Sequence, residues 1–152
     1  LFLVGNNTLK DLYEKYKDNN QLLLKWLGLQ AKTPAADALD NFENLITGKT
    51  PGFDYTDPYN CYSLVMPFIN NNPRFHDTSA RGYKIVADLI LKLDLEVKNS
   101  EVATSVASSL IPRPELDSRY ADLIYRELKR IHGTTGLSTA LKEVINASLA
   151  GK

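Results

Sequence analysis

The stretch L-D-N-F-E-N-L-I-T-G-K-T-P-G, Leu39 to Gly52, admits two folds. Gly48-Lys49-Thr50 matches the last part of a phosphate-binding loop, which would bring a strand, a sheet and a nucleotide with it. The same glycine also suits the end of a helix. The loop reading needs a second glycine five positions earlier, so that backbone N–H groups can wrap a phosphate. Glu43 stands there, a carboxylate where the anion would sit. The loop should also follow a buried strand. Instead Ala35, Leu39, Phe42, Leu45 and Ile46 precede it at helical spacing, and Pro51 and Gly52 interrupt any helix after it. The spacing therefore predicts a helix from Thr33-Pro34 to Thr47, closed by Gly48 in the left-handed conformation with Lys49 near its negative end. No nucleotide and no other cofactor is expected.

The same period runs outward in both directions. On the N-terminal side, Thr8 caps a helix bearing Leu9, Leu12, Tyr13 and Tyr16, and a second helix with Leu22, Leu23, Trp26 and Leu27 is stopped by Gly28. On the C-terminal side, Asp57-Pro58 opens a helix that Pro67 kinks or ends, and Asn70-Asn71-Asn72-Pro73 breaks the chain as a polar loop. Asp77, Thr78 and Ser79 offer the next cap, before an apolar face of Tyr83, Val86, Leu89, Ile90 and Leu93. A shorter helix from Ser100 ends at Pro112. Pro114 to His132 is the longest candidate, and Leu137 to Leu149 forms the last. No window alternates with a period of two between hairpin turns, so no sheet is predicted. The expected architecture is all-α: one globular domain over residues 1–152, a multi-helix bundle of seven or eight short helices, with 1–7 an extended segment that is either a processed start or part of a piece excised from a longer chain. Ala-Asp-Leu-Ile recurs at 87–90 and 121–124, but the flanks differ and no third copy exists. Reuse of a helix-forming tetrad explains this better than an internal repeat.

Composition narrows the function classes. Hydrophobic content of 43% and charged content of 24% suit a folded core rather than a disordered chain. Eighteen basic and eighteen acidic residues cancel, which removes a general attraction to polyanions or membranes but leaves local patches open. One cysteine, Cys61, cannot build a disulfide framework; this is compatible with an intracellular protein. Pro67 interrupts the longest apolar run, Leu64 to Ile69, so no membrane span is expected.

The inventory for catalysis is thin. His76 and His132 have no His or Cys at ligand spacing, and a metal site needs three or four ligands. His132 is read as a favourable cation at a helix end, His76 as a solvated loop residue, and Cys61 as a small buried apolar side chain. No enzymatic constellation is expected. Two patches invite a binding role. Phe53, Tyr55 and Tyr59 cluster in a loop held out by Pro51, Gly52 and Pro58, and tyrosines in such places are enriched at protein interfaces. Leu1 and Phe2 add an apolar terminus. Together they predict a non-catalytic helical module for protein interaction or assembly, with a protein partner that includes self-association as a homo-oligomer. The second patch is an arginine stripe, Arg119, Arg126 and Arg130 with Lys129 and Tyr125 beside it. It carries the alternative, a nucleic-acid-binding or nucleocapsid-type domain in which cations track phosphates and Tyr125 stacks on bases. Glu115 and Asp122, each four residues before an arginine, favour a salt-bridged solvated face instead.

Overall fold

A computed structural model describes residues 11, 13–15 and 17–152. Every regular element in it is helical, and no strand occurs among the described residues. The described chain is an all-α bundle of short helices, as the apolar periodicity predicted. It divides into two compact units, Leu1–Phe75 and His76–Lys152.

In the first unit, α1 spans Asn20–Lys32 and α2 spans Ala38–Thr47. A third helix, α3, opens at Pro58–Asn60, widens into a π-turn at Cys61–Val65 and resumes at Met66–Asn71. A single 3-10 turn, Pro73–Phe75, closes the unit. Asn19 caps α1 through its side chain, which accepts from the Leu22 N–H. Gly28 does not stop α1 as predicted. The helix passes through it because α3 lies alongside: a Cβ there would stand 3.9 Å from the Ser63 carbonyl oxygen. Proline at 67 has no N–H to offer that carbonyl, which accounts for the wide turn just before it. Thr33 is not the start of α2 either. Its hydroxyl donates to the Leu29 carbonyl at 2.8 Å and finishes α1, and α2 begins only after a turn at 35–38. At the far end of α2 the prediction holds: Gly48 has φ 84 and Lys49 is exposed. Trp26, Leu27, Phe42, Leu45, Leu64 and Phe68 form the core here, with Phe42 and Phe68 stacked at 4.1 Å.

The triple asparagine is more than a polar loop. Asn72 is 2% exposed, and its amide donates to the carbonyls of Ala31 and Thr33, each at 3.0 Å. These are carbonyls at the end of α1 that lack helical partners. Its Oδ1 accepts from the Arg74 N–H at 3.0 Å.

The second unit holds α4 (Arg81–Lys92, prolonged by a π-turn at Leu93–Val97), α5 (Ser100–Leu110), α6 (Ser118–His132) and α7 (Thr139–Leu149). Helix α4 packs on α5 and α6, and α7 packs on α5 and α6. The core contains Val86, Leu89 and Ile90 of α4, Val106 and Leu110 of α5, Ile124 and Leu128 of α6, and Leu141 and Ile145 of α7. One of the predicted cap residues of α4 serves it, although the N-cap position itself falls to Ala80. Ser79 Oγ accepts from the Arg81 N–H at 3.3 Å, while Ala80 takes φ 61. Asp94 is 6% exposed and accepts from both the N–H and the hydroxyl of Ser138, at 2.8 and 2.6 Å. Since Ser138 is the N-cap of α7, this carboxylate fixes where α7 begins. The predicted start of α6 at Pro114 moves to Ser118, because Asp117 is the residue whose carboxylate accepts from the Arg119 N–H at 2.9 Å.

Candidate functional site

The aromatic loop at 52–57 is held from within the first unit. Asn60, 4% exposed, accepts from the Asp54 N–H at 3.1 Å, and Asp54 Oδ1 accepts from the N–H and hydroxyl of Thr56. Asp57 caps α3 through the Tyr59 N–H at 2.9 Å. Gly52, at φ 125, lies so close to Trp26 that a Cβ there would stand 2.6 Å from its ring. This scaffold leaves Phe53 and Tyr55 half-buried and Tyr59 65% exposed. Phe53 lines a 250 Å³ pocket with Tyr13, Leu23, Asp54 and Asp57. Tyr59 is displayed to solvent, while Phe53 and Tyr55 each expose part of their ring. Leu1 and Phe2 lie outside the described residues. Cys61 is buried beneath the loop, its thiol 3.9 Å from the Tyr55 carbonyl, and burial pushes its pKa up to about 12. It remains a protonated thiol rather than a nucleophile.

The two histidines are structural partners. His76 is not solvated: its Nδ1 lies 2.6 Å from the Tyr83 hydroxyl, and its ring rests 5.7 Å from those of Tyr83 and Tyr120. Burial lowers the His76 pKa and raises that of Tyr83, so both are held neutral. His132 donates through Nε2 to Asn146 Oδ1 at 2.6 Å, tying the end of α6 to α7. Among the described residues no group of three or more His, Cys, Asp or Glu side chains is placed to hold a metal ion.

The arginine stripe is divided by its neighbours. Arg119 turns back to Asp117 at 3.1 Å and over the Tyr120 ring at 5.7 Å; the predicted pair with Glu115 does not form among the described residues. Arg130 bridges Asp88 at 2.9 Å and Glu127 at 2.8 Å, and Glu127 is 7% exposed. Those two arginines are committed to the protein. Tyr125, Arg126 and Lys129 instead line a cleft of about 690 Å³, with Arg113, Asp122 and Lys152 among its walls. The Lys152 ammonium stands 5.0 Å above the Tyr125 ring. No ion pair joins Asp122 to Arg126 among the described residues. Arg113 and Lys152 were not anticipated as members of this patch. Arg113 between two prolines was a signal of a fixed wall, but nothing local placed Lys152 opposite α6.

The comparisons with known proteins bear on what such a chain belongs to. Aminopeptidase N of Haemophilus influenzae is 30% identical over 93% of this chain and that of Caulobacter vibrioides 32% over 93%; the chain spans 16% of the length of each. The crystal structure of Legionella pneumophila aminopeptidase A in complex with aspartic acid superposes with a TM-score of 0.81 at 26% identity, over 94% of this chain and 16% of that one. These relatives are enzymes, and they overturn the expectation of a free-standing, non-catalytic interaction or assembly module, together with its nucleic-acid alternative and its RNA-binding and structural labels. The expectation that the protein is not an enzyme falls with them. Its basis was the absence of a catalytic constellation, an argument that reaches only as far as these 152 residues, a small share of the proteins they resemble. The family described as a domain of unknown function, DUF3458_C, with ARM repeats matches residues 4–150, and the chain belongs to it.

Proposed function

We propose that these residues are the C-terminal helical portion of an aminopeptidase of the aminopeptidase N type, an enzyme that releases residues from the free amino end of peptides. The observation that carries this reading is the continuous similarity over 93% of the chain to several aminopeptidases N, which leaves no segment of comparable size to suggest another role. In this reading the chain, which spans 16% of those proteins, is a helical part of the enzyme, and the groups that cleave the peptide bond are assigned to the remainder. Self-association of the whole protein is compatible with this role and is a separate proposal, for which sedimentation at several concentrations is the measure.

The test is hydrolysis by the full-length protein carrying this segment. An aminoacyl anilide with a free amine is expected to be cleaved and its N-acetyl counterpart to survive. Equal cleavage of both, or of neither, would remove the reading.

A further inference from the structure

We propose that the cleft on the outer face of α6 is a binding site for an acidic peptide in extended conformation. Its walls carry Arg126, Lys129 and Lys152 beside one carboxylate, Asp122, with Arg113 on the loop wall. Neither Arg126 nor Lys129 is neutralised by an ion pair among the described residues, in contrast to Arg119 and Arg130 on the same helix. Cations held close together with few counter-charges raise one another's energy, and an anionic ligand relieves that repulsion.

The shape selects among anions. The α6 wall runs from Ser118 through Ala121, Asp122, Tyr125 and Arg126 to Lys129, a single helical stripe about 16 Å long at 1.5 Å per residue. An extended peptide advances about 3.3 Å per residue, so the wall matches about five residues. The volume of about 690 Å³ is in the range of ligand sites and exceeds what a lone carboxylate or phosphate would fill. The loop wall, Pro112 to Pro114, is stiffened by two prolines and keeps the cleft open without a ligand. Arg126 offers a planar fork to a carboxylate, Lys129 and Lys152 offer point charges, and Asp122 is placed to accept an N–H from the ligand's backbone. A nucleic acid fits less well. Tyr125, the aromatic ring of the cleft, is occupied on one side by Lys152 at 5.0 Å, which leaves one face of the ring for a base. The choice of a peptide among acidic polymers rests on the aminopeptidase reading; the charge and shape of the site do not.

The experiment is fluorescence anisotropy of the full chain with a labelled peptide of five glutamates, beside a five-glutamine peptide and a single-stranded RNA of matched charge. Saturable binding of the glutamate peptide is expected, weakened by added salt. Arg126→Ala combined with Lys129→Ala should reduce affinity about tenfold or more, the scale of one or two charge-assisted hydrogen bonds. Both residues are exposed, so the variant's melting temperature should stay that of the parent. Arg119→Ala, which removes a cation already held by Asp117, should leave binding unchanged. Equal affinity for the glutamine peptide, preference for RNA, no binding at all, or an unaffected double variant would each overturn the proposal. Hydrolysis of free-amine substrates is measured separately, so loss of the peptide site and loss of the aminopeptidase reading are distinguishable.

Discussion

Asn72 uses both hydrogens of its amide on the end of α1, and no apolar residue could take its place. Removing it leaves the Ala31 and Thr33 carbonyls without that donor in a buried setting. Asn72→Ala is expected to destabilise the protein by about 2–4 kcal/mol in urea unfolding, two lost bonds plus the desolvation of their partners. An effect under about half a kcal/mol would show that water replaces the amide freely. Gly52 is fixed by geometry instead. At φ 125, a Cβ would sit 2.6 Å from Trp26 Cζ3, so Gly52→Ala combines backbone strain with a clash against a large ring. Its melting temperature should fall by several degrees, about 2 kcal/mol or more. His76 adds a dependence on pH. Its folded pKa lies below the ordinary 6.5, so the unfolded chain binds the proton more readily. Stability from this group is present above 6.5 and declines as pH falls through that value toward the lowered folded pKa. His76→Gln should flatten that slope, read as melting temperature between about pH 7.5 and 5. These residue-scale features were only partly visible in the sequence. Gly48 was legible because a left-handed helix end has a glycine signature. Asn72 was not, because its partners lie 41 and 39 residues away and no local pattern records them.

At the scale of elements, the apolar stripes identified the helices while the boundaries moved where caps compete. Thr33-Pro34 reads as a helix start, yet the threonine hydroxyl bonds backward to Leu29 and closes α1. Asp117 outcompetes Pro114 as the start of α6 because a carboxylate can accept a backbone N–H and a proline ring can only fix φ. The two π-turns escaped a period of 3.6, since each adds one residue to a turn, which that period does not register. The repeated Ala-Asp-Leu-Ile falls on α4 and α6 with its aspartate exposed and its isoleucine buried each time. The family that matches the chain is described by ARM repeats. Helical repeats recur in their pattern of burial as well as in their letters. Two substitutions probe this level. Leu128→Ala, at 0% exposure in α6, should cost about 2–5 kcal/mol in the same unfolding measurement. Asp94→Ala, which frees the N-cap of α7, should cost about 1–3 kcal/mol and increase hydrogen exchange at 138–142 ahead of the helices that lack this tie.

For the whole molecule, sequence reasoning reached the all-α class and missed the kinship with aminopeptidases. The chain covers 16% of the aminopeptidases it resembles, and no motif within it names them. The stripe on α6 looked like one surface on a helical wheel. In the fold, Asp117, Asp88 and Glu127 claim two of its arginines, and the cleft keeps Arg126 and Lys129. Partner charges decided that division, one of them from another helix, and a helical wheel does not contain it. Whether the chain is part of an aminopeptidase is read by mass spectrometry of one unblocked peptide during incubation with the full-length protein. A ladder of products is expected, each shorter by one residue at the amino end, with the carboxyl end intact. Products cut internally or from the carboxyl end, or an unchanged peptide, would contradict it.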